Sequence, residues 1–192
     1  MAAPEQPVDK LLVAIGGEIA FIRVLGRGSF KISTAMKEFS TAAIDTGCKS
    51  LVLDMAECVG MDSTFMGVLA GLAFRLKQKS AGRITMVNLS LRTRGLLATL
   101  GLDQVIDPHM AGATPENLQP YFQSTANRMT ALDTRENSTR VTAETMLEAH
   151  ENLVKLSPEN LPKFKDVLTF LREDLKATQH DGQKPKSSSG TL

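Results

Sequence analysis

The stretch Ser50–Lys79, SLVLDMAECVGMDSTFMGVLAGLAFRLKQK, carries the change of periodicity on which the fold turns. Leu51, Val52 and Leu53 form a short apolar run closed by Asp54, the pattern of a buried strand rather than a helix. Asp62, Ser63 and Thr64 follow, three side chains suited to capping a helix N-terminus. The helix they open places Phe65, Leu69, Leu72 and Leu76 on one face. It gathers Arg75, Lys77 and Lys79 towards its C-terminus, where cations complement the helix dipole. A core strand therefore delivers a short turn, and the turn sets two hydroxyls at the positive end of a helix. Free N–H groups and the dipole favour an anion there, a phosphate ester included. The commonest role of Asp-Ser-Thr in this position is nonetheless a plain cap.

Towards the N-terminus, Leu11–Ile15 and Ile19–Leu25 are β-prone runs separated by Gly16-Gly17-Glu18, the signature of a tight hairpin. Gly26-Arg27-Gly28-Ser29 reads as a turn ending the second strand. It lacks the Gly-Lys-Ser/Thr of a phosphate loop and the third glycine of a dinucleotide fingerprint. Met36, Phe39, Ala43 and Ile44 predict a helix over 33–46, stopped by Gly47. Beyond the central stretch, Ala81-Gly82 turns the chain into a strand holding Ile84, Met86, Val87 and Leu89. Ser90 caps a helix over 91–100 ended by Gly101, and Val105-Ile106 makes a last short strand before Asp107-Pro108. The order β-β-α-β-α-β-α-β predicts an α/β domain with a mixed sheet and helices packed against it.

Leu53-Asp54 followed by Met61-Asp62-Ser63-Thr64-Phe65-Met66-Gly67-Val68-Leu69 resembles the signature of the STAS family, the sulfate-transporter and anti-sigma-factor-antagonist domains. Members show an apolar strand ending in Asp, a linker, then Asp-Ser-Ser/Thr-Gly-Leu-Gly opening a helix. Leu97-Ala98-Thr99-Leu100-Gly101-Leu102 is similar to the family's next segment, so the resemblance spans residues 10–110. Phe65 departs from it, standing where the family usually has its first glycine. The resemblance implies a STAS-like fold and a phospho-regulated protein-binding module, an anti-sigma factor antagonist in a partner-switching pathway. It implies Ser63 as the phosphorylated residue, with Thr64 as the fallback, and Asp62, Ser63, Thr64, Phe65 and Met66 as the partner-binding set. The implied partners are an anti-sigma factor with serine-kinase activity and a phosphatase, with no enzyme activity and no cofactor in the chain itself. The alternative is a non-phosphorylated STAS scaffold or transport-assembly subunit that acts through its C-terminal helices.

Residues 111–178 read as a helical extension and 179–192 as a polar, disordered tail. Thr114 and Pro115 suggest a helix start, Asp133–Arg140 is polar enough for a linker, and two amphipathic helices follow over 142–156 and 157–176. Apolar stripes of this kind are seldom left bare. The expected cover is the chain's own first domain or a second copy, the latter giving a homodimer through these helices.

Composition narrows the function further. A formal net charge of +1 supplies no field to draw nucleic acid or membrane lipid. No apolar run is long enough for membrane insertion and the first residues lack a signal-peptide pattern, so a cytoplasmic protein is expected. Cys48 and Cys58 make no metal spacing and read as reduced thiols. His109, His150 and His180 lie far apart, which disfavours a zinc site. Ser63 has no Gly-x-Ser-x-Gly elbow and no histidine on a segment aimed at it, so no hydrolase triad is expected. Asp54 and Asp62 read as solvated turn residues rather than an acid–base pair.

Overall fold

The computed structural model describes residues 8–134 and 137–181. β1 (Lys10–Gly16) and β2 (Ile19–Gly28) form an antiparallel hairpin in which Gly16 faces Ile19. Gly17 and Glu18 make the turn, and Gly17 takes a φ of 61°, a conformation glycine adopts without strain. β3 (Ser50–Asp54) lies parallel to β2, β5 (Arg83–Leu89) parallel to β3, and β6 (Ile106–Met110) parallel to β5. Parallel neighbours need crossovers, and α1 (Phe30–Asp45), α2 (Ser63–Ser80) and α3 (Leu91–Thr99) supply them. β7 (Thr130–Ala131) closes the far edge antiparallel to β1, giving the order β6-β5-β3-β2-β1-β7. Among the described residues there are thus seven strands, counting β4 (Cys58–Met61), which pairs with the end of β2.

β4 overturns one expectation. Gly26-Arg27-Gly28 is not a turn: β2 runs through it and pairs in parallel with β4 after a register shift between Gly26 and Arg27. Gly26 takes a φ of 75° at this irregularity, so its glycines serve a bulge and a close approach rather than a chain reversal. β4 itself escaped notice because Cys-Val-Gly-Met is too short to show a period. β6 likewise runs to Met110, through Pro108, which an edge strand tolerates because its missing N–H faces no partner strand.

The two faces of the sheet follow the strand period of two. Leu11, Ala20, Ile22, Leu51, Leu53, Ile84 and Met86 point to one core with α1, α2 and α3. Phe21 and Val52 point the other way and meet Leu118, Phe122 and Met129. That second face is covered by α4 (Gln119–Thr125) and the 3₁₀ turn Glu116–Leu118 before it. The chain after residue 110 therefore first finishes the sheet. A helical appendage proper begins only at Ser138, whose side chain caps α5 (Thr139–Leu156). α6 (Leu161–Asp181) reaches three residues into the expected tail; residues 182–192 lie outside the described residues.

α5 packs across α2 and α1, and α6 packs on α5, so the appendage docks on its own domain. The approach of α5 to α2 is set by two glycines one turn apart. A Cβ on Gly67 would overlap the backbone carbonyl of Ala149, and one on Gly71 would overlap the Asn152 amide. Buried Asn160 then ties the hairpin's turn to the domain by donating to the carbonyls of Leu100, at 3.0 Å, and Leu153, at 2.9 Å. Leu100 is the C-cap of α3, and Leu153 lies in the last turn of α5, where its carbonyl also accepts the Ser157 N–H.

Gly67→Val is expected to lower unfolding free energy by about 1–3 kcal/mol, because a backbone atom cannot move aside as a side chain would. Gly95, in α3, has open space where its Cβ would lie. Gly95→Ala is expected to be neutral or to gain up to about 1 kcal/mol. Urea unfolding of both variants checks the contrast, and equal effects would show that α5 does not rest on Gly67.

Candidate functional site

β3, β4 and α2 place the central stretch at one end of the sheet. Asp62, half-buried, is the N-cap of α2, and its Oδ1 accepts the Phe65 N–H at 2.9 Å. Its Oδ2 accepts the Phe30 N–H at 2.7 Å, at the first residue of α1. One carboxylate thus satisfies the starts of two helices, and both dipoles favour its charge. Asp9 works beside it, accepting from the Arg27 N–H at 2.9 Å and from the Ser29 hydroxyl at 2.7 Å. The expectation that Asp62 is a solvated turn residue gives way to a structural clamp.

Asp54 is corrected more sharply. It is buried, and its carboxylate accepts from Arg23 Nε at 3.0 Å, from Asn88 Nδ2 at 2.9 Å and from the Ala56 N–H at 3.1 Å. A buried carboxylate with three donors and an ion pair orders the strand ends β2, β3 and β5. Asn88, at a φ of 57°, owes its left-handed backbone to a position where it can reach that carboxylate.

Ser63 is the first residue of α2 and is half-buried. Its Oγ lies 3.0 Å from His150 Nε2 on α5. His150 Nδ1 lies 2.7 Å from the Met146 carbonyl, which can only accept, so Nδ1 carries the proton. In that tautomer Nε2 accepts, and the Ser63 hydroxyl donates to it. The ring is only 3% exposed and meets the Phe164 ring of α6 edge-on at 4.9 Å between centroids. A histidine is therefore aimed at Ser63 after all. Sequence reading missed it because residues 63 and 150 are brought together only by the docking of α5. The readable signal was His150 itself, four residues after Met146 and three before Leu153, on the apolar side of that helix.

The Ser–His contact is not a hydrolase triad. A backbone carbonyl, not a carboxylate, orients the imidazole, and His150 is sealed between two helices. Thr64, Phe65 and Met66 are buried, so of the five residues expected to meet a partner only Asp62 and Ser63 retain exposed surface. Phe65 is fully buried, and the departure from the family pattern is matched elsewhere in the fold. A Cβ on Gly28 would come 2.7 Å from the Phe65 ring, so β2 leaves out a side chain where α2 adds one. Burial raises the pKa of the Cys58 thiol, which donates to the Gly60 carbonyl at 3.3 Å, and burial likewise raises that of Cys48. Both are free cysteines, and the described residues hold no cluster suited to a metal.

A mixed α/β sheet with crossover helices on one face, and a helix start bearing a clamped Asp and a serine at one end, defines an α/β domain of the STAS type. The chain belongs to the STAS family: the STAS domain model matches residues 10–117, more than half of the chain. Solved structures similar to it include the anti-sigma factor antagonist SpoIIAA in its unphosphorylated form, 19% identical, covering 61% of this chain and 96% of that one, TM-score 0.48. The Bacillus cell fate determinant SpoIIAA in its phosphorylated form is 21% identical, covering 58% and 98%, TM-score 0.47. An anti-sigma factor antagonist from Mycobacterium paratuberculosis is 20% identical, covering 57% and 90%, TM-score 0.46. Comparison with curated protein sequences finds no match. The family match ends before α5 and α6, so the histidine facing Ser63 comes from outside the matched region.

Asp62→Ala is expected to cost more than an ordinary cap, about 2 kcal/mol or more, since two helix starts lose their acceptor. Ser63→Ala removes only one donor and should cost about 0.5–1.5 kcal/mol. Phe65→Gly should cost about 3–5 kcal/mol as a cavity forms beside Gly28. Thermal and urea unfolding rank the three; a Phe65→Gly protein as stable as wild type would mean the ring is not in the core.

Proposed function

We propose that the chain is a phospho-regulated protein-binding module of the anti-sigma-factor-antagonist kind, with Ser63 as the switch. The observation that carries this reading is the position of Ser63. It is the first residue of α2, keeps part of its surface in solvent and follows a cap that fixes its backbone. A phosphate there adds about −1.5 to −2 charges at a helix N-terminus, and any surface packed across Ser63 would have to desolvate it. Thr64 is a poorer acceptor of the group, because its side chain is buried. The partner is an anti-sigma factor with serine-kinase activity, bound while Ser63 is unmodified, and a phosphatase restores binding.

The docked hairpin lends weight to a second reading, a non-phosphorylated scaffold acting through its C-terminal helices. Phe170, 66% exposed, leaves apolar surface on α6. Such surface suits a further protein.

Binding of the full chain to its anti-sigma factor distinguishes the two. Wild type and Ser63→Ala should bind alike, and Ser63→Asp should bind at least about tenfold more weakly, the effect of a charge desolvated in an interface. Mass spectrometry should place the phosphate on Ser63 within the tryptic peptide Ser50–Arg75. Equal affinity of all three forms overturns the switch and favours the scaffold.

A further inference from the structure

We infer that phosphorylation of Ser63 releases the α5–α6 hairpin from α2, so that the chain's own helices are the first partner to be exchanged. This rests on the reading of Ser63 as the modified residue. In the unmodified chain the hairpin occupies the same helix that carries Ser63. His150 takes the Ser63 hydroxyl at 3.0 Å, Ala149 lies on Gly67, and Asn152 lies on Gly71. Thr145 accepts a buried hydrogen bond from Thr34 of α1 at 3.1 Å, Glu148 pairs with Lys37, and Lys155 sits 4.9 Å over the Phe74 ring.

A phosphate ester at Oγ replaces the proton that makes the Ser63–His150 bond. It also brings a phosphorus and three oxygens into a gap that holds one hydrogen. His150 has no room to retreat: Met146 holds its Nδ1, Phe164 backs its ring, and α5 behind it cannot tilt without losing its fit on the two glycines. The helix-start donors that would receive a phosphate are partly taken, since Asp62 already holds the N–H groups of Phe65 and Phe30 and adds its own negative charge. Burying an incompletely paired dianion against His150 is costly, and hydrating it on that side requires α5 to leave.

Release uncovers a groove on α2 with a distinctive shape, Gly67 and Gly71 in its floor and Phe74 at its wall. A groove floored by glycines one turn apart accepts the backbone of another helix, provided that helix carries a small residue where α5 has Ala149. The occupant that fits is therefore an amphipathic helix of the α5 type, offered by a partner protein in competition with the hairpin.

The test places phosphoserine at position 63 of the full chain during translation and follows amide hydrogen exchange. Amides of Thr139–Leu156 and 161–176 are expected to exchange at least about tenfold faster than in the unmodified chain, with β3 and β5 unchanged. In a His150→Ala background, which leaves room for the group, phosphoserine should add less than about twofold. Unchanged or slowed exchange in the hairpin overturns the inference, as does equal acceleration in β3 and β5, which would be global unfolding. Full acceleration persisting in His150→Ala overturns it too, since the coupling would not run through that ring. Because the phosphate is installed without a kinase, a hairpin that stays shut refutes release whether or not a kinase modifies Ser63. A hairpin that opens in a chain no kinase modifies refutes the switch alone.

Discussion

The approach of α5 to α2 is the contact on which the upper half of the structure depends. Two glycines spaced by four residues strip one stripe of α2 down to backbone, and α5 lays Ala149 and Asn152 into it. Close packing of this sort has little give, since interiors fill space as densely as crystals do. The same approach buries His150, sets its Nε2 against Ser63 and puts Phe164 behind its ring. A larger residue at either glycine would therefore reach beyond local packing, to the hydrogen bond at the helix start.

Beneath that layer, the end of the sheet is organised by carboxylates. Asp62 joins the starts of α1 and α2, Asp54 joins β2, β3 and β5, and Asp9 holds Arg27 and Ser29. Each accepts at least two hydrogen bonds. The Asp62 cap holds the start of α2, and with it Ser63, in a fixed place.

Phe65 shows how a departure from a family pattern is absorbed. Where related sequences carry a glycine on the helix, this chain carries a ring, and Gly28 on the facing strand leaves the matching space. The space the ring needs is left by the missing side chain on the facing strand. Ser63 keeps its place at the helix start because the ring goes down into the core instead of over the hydroxyl.

The sequence by itself determined the strand Leu51–Asp54, the Asp62 cap, the helix face Phe65–Leu76, the glycine hairpin and the family, because each is written in short-range periodicity or in a cap. It also revealed two amphipathic helices near the C-terminus. It did not reveal β4, whose four residues have no period, nor that Gly26–Gly28 belongs to a strand, since only pairing with β4 makes it one. Asp54 read as solvated because nothing nearby in the chain announces Arg23 and Asn88 as its partners. The encounter of Ser63 with His150 was decided by tertiary structure alone. Eighty-seven positions separate them, and the contact arises from a fit between glycines on one helix and an alanine on another. Local patterns specify elements and their buried faces; which polar groups meet is fixed only when those faces close on one another.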